Sequence, residues 1–200
     1  MRQYTILPVH TESPVWTELP SLAVDNVQWL GDTGVRMWQQ MCYDADFLYV
    51  RQHAQERNQR AQLTGQLQQV CEDSCMEFFF TPGDDDRYFN LEMNPNGAVR
   101  LGFGPPAGPR TLLIPRDMEQ LFAIQAERAA DSWTLTYRIP LSFLRLFYPD
   151  FRYVSGATLR GNCYKCGDLT DHPHYLSWNP VQSDVPAFHR PQDFGMLIFG

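Results

Sequence analysis

The sequence predicts an all-β fold, an antiparallel β-sandwich with jelly-roll or immunoglobulin-like layers and one short helix, carried by residues 1–200 as a single domain. Three observations predict it. Apolar and polar residues alternate in several separate stretches, the period of a strand that buries one face. The stretches recur at intervals of about ten residues with Gly, Pro, Asn and Asp between them. Internal repeats, low-complexity tracts and heptads are absent from the sequence.

The chain enters through a proline-punctuated segment (Leu7-Pro8, Ser13-Pro14, Leu19-Pro20). Residues 35–42 and 47–54 then alternate around Tyr43-Asp44-Ala45-Asp46 and read as a hairpin. Residues 56–69, ERNQRAQLTGQLQQ, carry no apolar stripe and read as a loop or frayed helix, of the kind found at a binding edge. In the next strand Asp73, Cys75, Glu77 and Phe79 point one way, and Ser74, Met76, Phe78 and Phe80 point to the core. Across the turn-rich Pro82 to Asp86 break, Phe89, Leu91 and Met93 face the core, so Tyr88, Asn90, Glu92 and Asn94 face away. Pairing these two strands puts Glu77, Asn90 and Glu92 on one polar surface. Asn96-Gly97 turns the chain into residues 98–103, and GPPAGPR forms an exposed connection. Residues 122–126 and 133–139 alternate around Arg128 to Ser132, and Pro140 opens a short helix through Leu144. Residues 158–166, 175–178 and 194–199 supply the closing strands, and the aromatic group Phe143, Phe147, Tyr148, Phe151 and Tyr153 packs the helix onto the sandwich.

Charge excludes several functions. With 16 Lys and Arg against 23 Asp and Glu, the chain has no basic stripe with which to neutralise phosphates. No run approaches the roughly 20 apolar residues that span a bilayer, and MRQYTILPVHTESP lacks the charged and apolar regions of a signal peptide. The five cysteines are an odd set, which argues against a disulfide framework. Cys163 and Cys166 of the CxxC string point to opposite faces of a strand, and buried, inert thiols are the default reading.

Two constellations carry possible chemistry. Glu77 and Glu92 are cross-strand carboxylates at the separation that glycoside hydrolysis uses, but no second feature supports catalysis, and hydrolysis requires a deep cleft rather than an open face. The tract Gly167 to His174 is dense in ligand types, which makes Asp171, His172 and His174 metal candidates, with His189 downstream as a further ligand. Calcium could use Asp84, Asp85 and Asp86 or the 168–171 loop. Trp133 and Trp178 read first as core anchors, with Trp178 kept as a candidate ring at the site.

An early Trp16, the string Asp46-Phe47-Leu48-Tyr49-Val50, the string Asp73 to Phe79, Ser177-Trp178-Asn179-Pro180 and the terminal Pro191 to Leu197 come in an order that resembles the family 9 carbohydrate-binding modules and their bacterial relatives. The resemblance covers nearly the whole chain. It implies a β-sandwich that is non-catalytic, binds a mono- or oligosaccharide, works in polysaccharide degradation outside the cytoplasm, and holds structural calcium; the cysteine usage also permits a cytoplasmic location. In such modules two tryptophans sandwich a sugar while polar side chains bind its hydroxyls. The first tryptophan position falls at Val70 and Cys71 here, a departure, and the second at Phe188 and His189. The polar positions map to Glu77, Asn90, Glu92 and Lys165. The expected site is therefore a shallow groove with Phe188 or His189 as platform. The alternatives are a metal-holding or interaction module using His172, His174 and His189, and, behind it, a glycoside hydrolase.

Overall fold

The computed structural model describes residues 1–11 and 13–200 and folds into two β-sheets that share their first strand. That strand, β1 (Gln3–Pro8), pairs in parallel with the C-terminal strand through residues 3–6 and with the 36–43 strand through Leu7 and Pro8. The proline-punctuated entry segment thus holds a strand that the sequence reading passed over, and the sandwich is not purely antiparallel. Tyr4 and Ile6 alternate with Gln3 and Thr5 and are buried, which drives the pairing, and Pro8 sits at the strand's last residue, where a missing N–H costs least.

Two short strands follow, β2 (Leu22–Val24) and β3 (Asn26–Val27). The expected hairpin is β4 (Arg36–Tyr43) and β5 (Phe47–Gln55), closed by the Asp44 carboxylate, which accepts from the Asp46 and Phe47 amides at 2.8 Å each. Residues 56–69 form a loop, as their polarity predicts, and lead through a single 3₁₀ turn to β6 (Cys75–Thr81). Strands β6, β7 (Tyr88–Met93) and β8 (Val99–Gly104) form an antiparallel meander, with Glu77 opposite Glu92 and Phe79 opposite Asn90. A two-residue strand, β9 (Thr111–Leu112), follows. Residues 118–122 form a helix, α1 (Met118–Phe122), rather than the start of the next strand, so β10 spans only Gln125–Arg128 before β11 (Ser132–Pro140). Pro140 precedes α2 (Leu141–Leu144), which buries Phe143 and Leu144, and β12 (Thr158–Cys166), β13 (Tyr175–Ser177) and β14 (Gly195–Phe199) complete the chain.

One sheet runs β9-β8-β7-β6-β12-β14-β1 and the other β10-β11-β5-β4-β1. Between them Met76, Phe78, Phe80, Phe89, Leu91 and Met93 meet Met41, Leu48, Val50 and Leu135 in one continuous core. Burial of that core from both sheets is the main stabilising term. The outer face of the β6–β7–β12 sheet is also covered. There Val181 and Phe194, which bound a long connection after β13, pack on Phe79, Tyr88 and Tyr164. Gly195 leaves room for the Trp178 ring beside β1, since a Cβ there would stand 2.5 Å from that ring and 2.9 Å from the Arg2 carbonyl oxygen.

Candidate functional site

The alternation of β6 and β7 places Glu77 and Glu92 side by side on the outer face, as expected, but that face is not open. The segments 29, 69–71 and 186–189 rise around it and enclose a cavity of about 390 Å³. Glu77 and Glu92 lie at its floor, only 3% and 5% exposed. The expected shallow groove is corrected to a pocket because the connection between β13 and β14 folds back across the sheet.

The walls join aromatic and polar groups, the mixture that ligand pockets use to gain both contact area and orientation. Trp29 is held by its indole N–H, which donates to the Ser183 carbonyl at 2.7 Å, and its ring lies 5.2 Å from Phe188 and 5.5 Å from Tyr175. Phe188 stacks one face on Tyr164 at 4.1 Å and 13°, so the remainder of its ring is what the cavity sees. His189 completes this side, its Nδ1 2.6 Å from the Tyr88 hydroxyl and its ring 5.0 Å from Phe79. Although the residue is exposed overall, desolvation, then the Arg110 and Arg100 charges, hold its imidazole below the usual range. Arg100 and Asp168 supply charge at the rim.

Asn90 lies on the same face but beneath the lining. Its amide donates to Glu92 Oε1 at 2.8 Å and its carbonyl accepts from Arg110 at 2.5 Å, which fixes Glu92 rather than reaching the cavity. Gly102, opposite Asn90 on β8, leaves room for that amide, and any Cβ there would collide with it. Burial, and then the proximity of Glu92, push the Glu77 carboxyl well above the usual carboxylate range. Burial raises Glu92 too, against the hydrogen bond from Asn90. Neither joins an ion pair among the described residues. Burial thus disfavours the charged form of both floor carboxyls, and a carboxyl that keeps its proton can donate a hydrogen bond as well as accept one.

Lys165 and Trp178 are not at this site. Along β12, Cys163 and Lys165 share the core face with Met76, whereas Tyr164 and Cys166 lie on the outer face, where Cys166 lines the cavity. The fully buried Lys165 ammonium lies 3.2 Å from Glu56 Oε2 and 2.8 Å from both His174 Nε2 and the Cys166 carbonyl. Glu56 also accepts from Ser74 Oγ at 2.7 Å and Trp133 Nε1 at 2.9 Å. Desolvation opposes ionisation of Glu56, but Lys165 and these donors hold its carboxyl below its ordinary value. Trp178 is a core residue, packed with Leu176 and Leu197 behind the sheet. The face of a lysine with an apolar neighbourhood is misread from polarity alone, because its counterion comes from the distant 56–69 loop.

The metal candidates Asp171, His172 and His174 do not converge. His174 has both nitrogens engaged, Nδ1 with the His172 carbonyl at 2.9 Å and Nε2 with Lys165, while His172 and Asp171 are exposed and His189 lines the other cavity. Burial and the Lys165 charge lower His174 to about 4, so it is neutral at physiological pH. For calcium, Asp85 is taken by Arg87, and neither Asp84–Asp86 nor the 168–171 loop brings three side-chain ligands together among the described residues. A larger cavity of about 470 Å³ borders this loop, but its lining, from Thr33 and Glu56 to Asp171 and His174, has no Phe, Tyr or Trp. The smaller cavity is the better candidate site because it combines rings with a polar floor. Trp29, Arg100 and Tyr175 belong to it and were not singled out from sequence, since they come from short, irregular or distant segments, while Asp168, read from sequence as part of a calcium loop, lines this cavity instead.

The model of carbohydrate-binding family 9 matches residues 15–199. A candidate carbohydrate-binding protein of known structure from Bacteroides uniformis ATCC 8492 is similar over 100% of this chain and 99% of its own, at 26% identity and a TM-score of 0.87. A family 9 carbohydrate-binding module from Caldicellulosiruptor kristjanssonii, solved with glucose, shares the fold at a TM-score of 0.71 and 10% identity, covering 100% of this chain and 96% of its own. Its complex with cellotriose gives the same TM-score and identity, covering 99% and 93%. A search of curated proteins finds no match.

Proposed function

The chain belongs to carbohydrate-binding family 9, and on that premise we propose that it binds a saccharide without transforming it, in the cavity floored by Glu77 and Glu92. The observation that carries this reading is the pairing, in one pocket of about 390 Å³, of the rings of Trp29, Tyr175 and Phe188 with a floor of hydrogen-bonding carboxyls. A pyranose has an apolar C–H face and a rim of hydroxyls. Trp29 and the open part of Phe188 suit the first, and Glu77, Glu92, Arg100 and Asp168 suit the second. The loss of the family's first tryptophan at Val70 and Cys71 is offset by Trp29, which reaches the same cavity from another segment.

A thermal-shift screen against mono- and oligosaccharides, each with calcium and with a chelator, tests this reading. A ligand at 100 times its Kd stabilises the folded state by about 2.7 kcal/mol, and about 2–4 °C per kcal/mol for a chain of this size gives a rise of roughly 5–10 °C. No rise with any saccharide would end the reading. The calcium implied by the family is carried into the same screen as a proposal.

Hydrolysis is the second reading, and one observation favours it: the two carboxyls lie in a pocket rather than on an open face. Against it, hydrolysis needs one carboxylate ionised beside one acid, and here burial raises both, outweighing the charge of Lys165 at Glu77 and of Arg100 and Arg110 at Glu92. Release of a chromogenic aglycone that is lost in Glu77→Gln would establish it.

A further inference from the structure

We infer that Cys75, Glu77 and Cys166 form a site for one thiophilic divalent cation of the zinc type, under the floor of the cavity and with one coordination position open toward it. This goes beyond saccharide binding, although Glu77 serves both. Cys75 and Cys166 are direct partners across β6 and β12, and Glu77 follows Cys75 two residues along the same face. The sulfurs of the cysteines and a carboxylate oxygen all lie within 4.8 Å of one another, with every member of the trio buried. Tetrahedral zinc holds sulfur at about 2.3 Å and oxygen at about 2.0–2.2 Å, so small side-chain rotations close the shell. Cys71 lines the cavity alongside but stands outside the trio.

A second observation points the same way. Glu77 faces the cavity with a buried carboxyl whose side-chain partner is the Cys166 thiol, donating to Oε1 at 3.0 Å. Glu92 stands directly opposite, and neither carboxyl is ion-paired among the described residues. Two buried carboxyls and two buried thiols gather at one spot, and Lys165, Arg100 and Arg110, the cations whose charge reaches the carboxyls, ion-pair with neither among the described residues, so the deprotonated trio needs a counter-charge within its own shell. A divalent ion supplies it, and two sulfurs with one oxygen select zinc or a similar soft ion over calcium or magnesium. Three protein ligands beside a cavity leave the fourth position for water or a ligand hydroxyl. Loading is a ligand exchange with no change of oxidation state: each thiol gives up its proton to solvent, Glu77 binds as the carboxylate, and the ion sheds water.

The test uses the full chain, stripped with a chelator under reducing conditions and titrated with Co²⁺ and then Zn²⁺. The expected result is one equivalent of Co²⁺ with a sulfur-to-cobalt charge-transfer band, displaced by Zn²⁺. Cys75→Ser should weaken binding by at least ~10-fold, since loss of an outer-sphere partner alone costs about 10–100-fold, and Cys163→Ala, on the core face, should leave it intact. X-ray absorption at the zinc edge of the loaded wild type needs no variant and should give two sulfur neighbours. An absent charge-transfer band, an all-oxygen shell, or binding unchanged in Cys75→Ser would overturn the site. Cys75 does not line the cavity, so saccharide titration of Cys75→Ser separates the two claims. Sugar binding retained with cobalt lost supports the metal site, and a wild type that binds cobalt but no sugar sinks only the saccharide reading.

Discussion

Replacing Lys165 with methionine should destabilise the fold severely while leaving ligand binding intact. The ammonium is fully buried and contacts Glu56 at 3.2 Å, His174 at 2.8 Å and the Cys166 carbonyl at 2.8 Å. Methionine fills the space but leaves the Glu56 carboxylate inside the core with only Ser74 and Trp133 as donors. Removing one partner of a buried pair costs about 3–5 kcal/mol, which for a chain of this length lowers Tm by roughly 6–20 °C. Glu56→Gln in the same chain removes the stranded charge and should recover about 1–3 kcal/mol, the coupling expected of residues in one network. Urea unfolding followed by tryptophan fluorescence reads both variants, since Trp133 donates to Glu56. A loss below ~1 kcal/mol in Lys165→Met, or a double variant as unstable as the sum of the singles, would refute the assignment of Lys165 to a core ion pair. A large fall in saccharide affinity in the folded single variant would return Lys165 to the binding face.

Two further outcomes follow from the titrating groups. His174 is neutral in the folded state down to about pH 4 but takes a proton near pH 6.5 when unfolded, so the unfolded chain binds more protons in that window and stability falls as pH drops through it, by up to about 3 kcal/mol; His174→Gln should flatten that slope in urea unfolding at graded pH, and an unchanged slope would contradict it. Glu77 shows the opposite sign: its folded value lies above its unfolded 4.5, so stability is full below about pH 4.5 and is lost as pH rises, and Glu77→Gln should gain stability relative to wild type at pH 8 over pH 5. No difference between the two pH values would mean that Glu77 is ionised in the fold.

The fold was legible where a single period governs a stretch. Strands β4 to β8 alternate cleanly, and Met76, Phe78, Phe80, Phe89, Leu91 and Met93 meet in the core as the alternation requires. The same period correctly put Glu77 and Glu92 on the other face. What it could not tell was whether that face is open, because the cover comes from residues 186–189 and from Trp29. Trp29 adopts a left-handed backbone, φ 56°, in the irregular stretch between β3 and β4, and carries no periodic signal. Lys165 misled for a definite reason: a charge in an alternating strand reads as solvent-facing until its partner is known, and Glu56 belongs to a loop whose polarity marks only irregular structure. Trp178 follows a short strand whose three residues are too few to fix a face.

The central claim is that a saccharide occupies the cavity between Trp29, Phe188 and the two glutamates. Isothermal titration of wild type, Trp29→Ala and Glu77→Gln with the saccharide that gives the largest thermal shift tests it most directly. The account predicts a single site in wild type and a loss of about 2- to 12-fold in Trp29→Ala from the ~0.5–1.5 kcal/mol of an aromatic contact, before the area it buries is counted, with a smaller loss in Glu77→Gln, whose amide still donates and accepts. Equal affinity in wild type and in a folded Trp29→Ala would contradict it and move the site out of this cavity.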